Sequence, residues 1–120
     1  MSRIIVTGSR NWTDEAAVWN ALDQATADHD PEHLIIVHGA CPTGADLHAV
    51  TWAAKHHVSH EAFFANWSAH GRAAGPIRNR AMVAAGADLC LAFPLGPSPG
   101  TRDCMRAARN ADIPVKEYAP

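Results

Sequence analysis

With 120 residues, 48% of them hydrophobic and 18% charged, the chain is long enough for one domain burying roughly 65% of its unfolded surface, and too apolar for a disordered tail protein. A net charge of −2 argues against a general nucleic-acid binder, which carries a basic stripe, so any attraction for phosphate must be local. No run approaches the ~20 apolar residues of a membrane span.

The first apolar run, Arg3–Thr7, reads as a strand. Its core Ile4–Val6 is too short for a signal peptide and drops straight into Gly8, so the cytoplasm is the expected compartment. Thr13–Ala27 follows as a helix with Ala17, Trp19, Leu22 and Ala25 on its apolar face. Leu34–His38 is the second strand, and Gly44–His56 the second helix. That helix opens at a capping signal, Thr43 with Asp46 three residues on, an aspartate version of the capping box. Ser59–Ala65 is a third strand, marked as an edge by Ser59, His60 and Glu61. Residues 66–75 form the longest irregular piece and are expected to act as a lid. Pro76–Ala85 is a helix with proline near its first turn, where the missing N–H does no harm. Asp88–Phe93, a helix over Thr101–Asn110 and a last strand at Val115–Tyr118 complete the chain.

The order βαβαβαβαβ predicts an α/β, Rossmann-like, doubly wound parallel sheet of five strands, ordered 3-2-1-4-5, in three α/β/α layers. There is no internal repeat, low-complexity segment or linker, so residues 1–120 are read as a single domain. In this topology the ligand crevice opens at the carboxyl ends of the first and fourth strands.

Three loops converge on that edge. The first, Thr7-Gly8-Ser9-Arg10-Asn11, combines a tight-turn glycine, a hydroxyl and the guanidinium fork of Arg10. The second runs from His38 through Gly39 and Gly44 to Asp46. It lacks the Lys-Ser/Thr pair of a Walker nucleoside triphosphatase, yet its backbone amides can hold a phosphate or ribose. Asp46 is either a helix cap or an acceptor for a ribose hydroxyl or an amine. The third spans Gly75–Cys104. Arg78 and Met82 share a helical face that points to the crevice, while Arg80 falls about 200° around the helix and is solvated. Asn79 is read as a cap or a tie for segment 66–75. Ser98, Gly100 and Thr101 offer hydroxyls and free amides at a helix start, a phosphate cradle.

Other residue types carry weaker signals. His56, His57 and His60 cluster away from the crevice, and no metal site is expected. His38 either lines the site or is a hydrogen-bonded structural histidine. Cys41 has no neighbouring base by sequence, and three cysteines without Cys-x-x-Cys spacing argue against disulfides or a zinc knuckle. Trp12 and Trp67 flank the loops, to stack on a base or to pack in core or lid. Trp19 and Trp52 belong to the core or a subunit contact.

The motifs Ile4-Ile-Val-Thr-Gly-Ser-Arg10, Val37-His-Gly-Ala-Cys-Pro-Thr-Gly-Ala-Asp46, Trp67, Gly71-Arg-Ala-Ala-Gly-Pro-Ile-Arg-Asn79, Met82 and Pro99-Gly-Thr101 recur in this order over nearly the full chain. In them the chain resembles the SLOG superfamily (SMF/DprA and LOG), within it the small, cpYpsA-related, YspA-like branch. The resemblance implies a Rossmann-like domain binding nucleotides or nucleotide-derived ligands. Similar proteins of the LOG branch are phosphoribohydrolases that release a base from a nucleoside monophosphate. They carry an arginine-and-methionine helix followed by Pro-Gly-Gly-x-Gly-Thr-x-x-Glu. Arg78, Met82 and Gly100-Thr101 match that pattern, but the glutamate position is Cys104, with Asp103 beside it.

The leading expectation is therefore a binding module for a nucleoside monophosphate or an ADP-ribose-like compound. Gly8, Ser9, Arg10, Gly100 and Thr101 would hold phosphate, Arg78 would neutralise charge, and Gly39, Gly44 and Asp46 would contact ribose or a second phosphate. The alternative is a LOG-like hydrolase of the N-glycosidic bond, with Arg78 and either Asp103 or Asp46 as catalytic groups. Single-stranded DNA binding, as in the DprA branch, ranks third. No cofactor and no membrane partner are expected, and related folds that associate through helices suggest a homo-oligomer.

Overall fold

In the computed structural model of the chain, which describes residues 2–120, five parallel strands make one sheet: β1 (Ser2–Gly8), β2 (Leu34–His38), β3 (Ser59–Ala62), β4 (Leu89–Phe93) and β5 (Val115–Glu117). Their order is β3-β2-β1-β4-β5, the order the alternation of elements predicts. Ile5 pairs with Val37 on one side and Cys90 on the other, so β1 lies at the centre.

Because successive residues of a strand point to opposite faces, the central strands feed two cores. Ile4, Val6, Ile36, Leu91 and Phe93 pack under helices α1 (Glu15–Ala25) and α2 (Gly44–Lys55), which contribute Val18, Leu22, Ala49 and Trp52. Ile5, Val37 and Cys90 pack under α4 (Ala74–Ala84) and α5 (Pro99–Asn110), which contribute Met82, Cys104 and Ala108. The first two helices therefore cover one face and the last two the other. The chain changes face between β1 and β4, and the crevice opens there. Among the described residues, no helix is long and apolar enough to cross a membrane.

Two expectations need correction. Residues 66–75 are not irregular: they hold a one-turn helix α3 (Trp67–His70), a 3₁₀ turn (Gly71–Ala73) and the start of α4. The Asn66 side chain accepts from the Ala69 N–H and caps α3, a local bond that the run of small residues hides. Helix α4 also begins before Pro76, which the geometry allows because the first-turn N–H groups have no partner within the helix anyway. The other differences are shifts of element ends by up to three residues, as when β3 stops at Ala62 and α5 starts at Pro99.

Candidate functional site

At the carboxyl ends of β1 and β4 lies a cavity of about 430 Å³, within the range of small-molecule sites. Four stretches wall it: the turn Thr7–Asn11 after β1; Gly39, Cys41 and Asp46 around the start of α2; Trp67 with Arg78, Asn79 and Met82; and Leu95 with Pro97–Gly100 before α5.

The loop after β2 folds around its own side chains. Asp46 Oδ2 accepts from the backbone N–H of Gly39 at 3.2 Å and of Cys41 at 3.1 Å, and His38 Nδ1 accepts from Ala40 at 3.0 Å. Three consecutive amides are thus taken by the protein, and Ala40 is held at a φ of 60°. This corrects the capping box. The Thr43 side chain makes no cap bond and instead donates to the Arg10 carbonyl at 2.9 Å, while Asp46 turns back to the loop. Gly44 has a φ of +72°, and a Cβ there would strike the Ser9 carbonyl and the Arg10 backbone. Its role is to let α2 dock on the β1 turn, where the Ala45 N–H donates to Ser9 O at 3.3 Å.

Asp46 is only 6% exposed, and its Oδ1 makes no hydrogen bond within the described residues although the side chain lines the cavity. Burial pushes its carboxyl from 3.8 up to about 6, against the pull of the two amides and the Arg78 charge. Arg78 lines the cavity. Its Nη1 donates to the Gly39 carbonyl at 2.7 Å and its Nε to Asn79 Oδ1 at 2.8 Å. A Cβ on Gly39 would collide with the guanidinium, so glycine there is what admits the arginine. Arg78 Nη2 has no hydrogen-bond partner among the described residues. Arg10 stands exposed on the rim, and its side chain likewise has no hydrogen bond or ion pair among the described residues.

Asn79 is 1% exposed and links the two helices of its face. Its Nδ2 donates to Gly100 O at 3.1 Å and to Asp103 Oδ2 at 3.0 Å, so it neither caps a helix nor ties segment 66–75. Ser98 sits at a φ of 38°, and its hydroxyl both donates to and accepts from the Leu95 backbone at 2.8 Å. With Ser98 so engaged and Pro99 lacking an N–H, the amides of Gly100 and Thr101 precede the first hydrogen bond of α5 and carry no cap.

The fold brings Gly8, Ser9, Arg10, Gly39, Asp46, Arg78, Asn79, Ser98 and Gly100 to one cavity, whereas Gly44, Thr101 and Asp103 lie outside its lining. Asp103 is held by Asn79 and lies 3.7 Å from Arg106. Cys104 is fully buried in the core beside Cys90, whose thiol is pushed far above its usual range by that neighbour and by burial. Sequence reasoning gave no site role to Leu95 or Pro97, and named Pro99 only within the Pro99-Gly-Thr101 motif. The proline-rich run after β4 was their signal, since such a loop must turn sharply over the sheet end.

Two side readings also resolve. His60 meets His38: His38 Nε2 and His60 Nδ1 lie 2.9 Å apart, and because His38 Nδ1 accepts from Ala40, the His38 proton sits on Nε2 and is donated to His60. Burial and His60 push His38 down to about 4, so it is a neutral structural histidine outside the cavity lining. Trp12, 2% exposed, packs edge-on against Phe93.

Comparison with known proteins matches residues 2–70 to a family described as the YspA, cpYpsA-related SLOG family. The gene 61 protein of Mycobacterium phage D29 is 48% identical over 123 residues, covering 98% of this chain and 97% of that protein. The family match ends before Arg78 and the α5 loop, and the similarity to the phage protein runs through both.

Proposed function

Because the chain belongs to the YspA, cpYpsA-related SLOG family, we propose that its cavity binds a nucleotide or nucleotide-derived ligand, a nucleoside monophosphate or an ADP-ribose-like compound. One observation carries this reading. Two guanidinium groups with open donors, Arg10 and Arg78, share a cleft with the uncapped start of α5 and with one buried carboxylate whose Oδ1 is free. Cationic donors and a helix start suit phosphate, and a lone carboxylate suits the hydroxyl of a sugar. Such a combination is the polar complement of a phosphorylated ribose.

Calorimetry with a panel of nucleoside monophosphates and ADP-ribose tests it. Arg10→Ala, an exposed change that spares the fold, and Arg78→Ala should each weaken binding by about tenfold or more, the scale of a lost hydrogen bond to a charged group. Binding of no panel member, or unchanged affinity in both variants, overturns the proposal. A second reading, cleavage of the N-glycosidic bond, draws support from Asp46, the carboxylate in the cavity lining. Chromatography of the same incubations decides it, since free base must appear and must vanish with Asp46→Asn.

A further inference from the structure

Four tryptophans occur in the chain, and the fold uses three of them. The indole N–H of Trp12 donates to Asp14 O at 3.0 Å, that of Trp19 to His48 O at 3.0 Å, and that of Trp52 to Asp23 Oδ1 at 2.9 Å. Trp67 differs in every respect. It is 57% exposed, its N–H has no partner among the described residues, and it belongs to neither core cluster. Yet its place is built. The Asn66 cap holds α3 where Trp67 is the first residue, and the indole lies over Gly75 of α4, with Cη2 3.4 Å from where a Gly75 Cβ would lie. That spacing is ordinary van der Waals contact, so the ring packs beside α4 at this position.

The supported ring lines the cavity that holds Arg10, Arg78 and the start of α5, and it is the single aromatic side chain among the described lining residues. An exposed indole beside a phosphate-binding cluster offers the two parts a nucleotide needs, a flat apolar face and a cationic end.

We infer that Trp67 is the platform on which the base of the bound nucleotide stacks. The inference rests on the nucleotide-binding reading above and adds to it a specificity determinant: the site selects ligands that carry an aromatic base over bare sugar phosphates. Stacking reads the π face rather than an edge, so purines, with the larger face, bind ahead of pyrimidines.

The test compares AMP with ribose 5-phosphate on the full chain by calorimetry. Wild type should bind AMP about tenfold more tightly than ribose 5-phosphate, and Trp67→Ala should remove most of that difference while leaving ribose 5-phosphate unchanged. Trp67→Phe should retain most of it. Independently, AMP should quench the tryptophan fluorescence of wild type and not that of Trp67→Phe. Because Trp67 stands outside the core, the circular dichroism of both variants should match wild type. Equal affinity for AMP and ribose 5-phosphate, or AMP affinity unchanged in Trp67→Ala, overturns the platform while the phosphate-binding site stands. Failure of both compounds to bind wild type overturns the platform together with the reading beneath it.

Discussion

Asp46 is a buried carboxylate on the cavity wall, and its ionisation works against the stability of the fold. Its carboxyl is raised from 3.8 to about 6 chiefly by burial, so the folded state binds the proton more tightly than the unfolded chain does. Its contribution is therefore fully present below about pH 4 and is lost as pH rises through 6, leaving ionised Asp46 a burden of about 2–3 kcal/mol at pH 7. Asp46→Asn keeps an acceptor for the Gly39 and Cys41 amides and removes the buried charge. The variant should therefore be about 1–2 kcal/mol more stable than wild type at pH 7, with the gap closing near pH 4. Urea denaturation at the two pH values measures this, and a gap that is absent or grows on acidification contradicts it. The types of the site residues were visible in the sequence, down to the separation of Arg78 from the exposed Arg80. Their hydrogen-bond partners were not: Asp46 turns back to its own loop instead of capping the helix, and Asn79 bonds another helix across the fold.

At the scale of elements, the two helices that begin at the cavity are built differently. The start of α2 is consumed by the fold: Thr43 and Ala45 bond the β1 turn, and Gly44 lets the two backbones touch. The start of α5 is left open. Gly44→Ala combines a strained φ with a backbone collision and should cost about 2–4 kcal/mol, read from a denaturation midpoint. It should also weaken ligand binding, because the Ser9–Arg10 turn must move away. Strands and helices were legible from apolar runs and from Pro and Gly punctuation, since those patterns reflect each element's own burial. Helix α3 was not, because one turn with a short polar cap has too little periodicity to announce itself. The apparent capping box at Thr43 and Asp46 misled for the opposite reason: a local motif lost to a tertiary contact.

For the whole molecule, the sheet makes one site out of distant parts of the chain. Phe93 illustrates the coupling. Its ring is fully buried, lies 5.3 Å edge-on from Trp12 and stacks at 4.9 Å on Tyr118, while its carbonyl accepts from the Ser9 N–H at 3.0 Å. Phe93→Ala should cost about 3–5 kcal/mol by leaving a cavity under the β1 turn, far more than Trp67→Ala. Thermal or urea unfolding of the two variants checks the contrast. By itself the sequence determined the α/β layering, the strand order and the edge of the sheet at which polar residues gather, because continuous apolar strands alternating with helices admit few arrangements. Only the tertiary structure decided which of those residues face the cavity and which donors stay open. It committed the amides of the β2 loop to Asp46 and His38, buried Cys104 in the core, tied Asp103 to Asn79, and left the Arg10 guanidinium, Asp46 Oδ1 and the Trp67 indole N–H without hydrogen-bond partners among the described residues. The reason is physical: burial pattern is written along the chain, whereas which donor meets which acceptor depends on the folded path of the backbone, both within a loop and between distant segments.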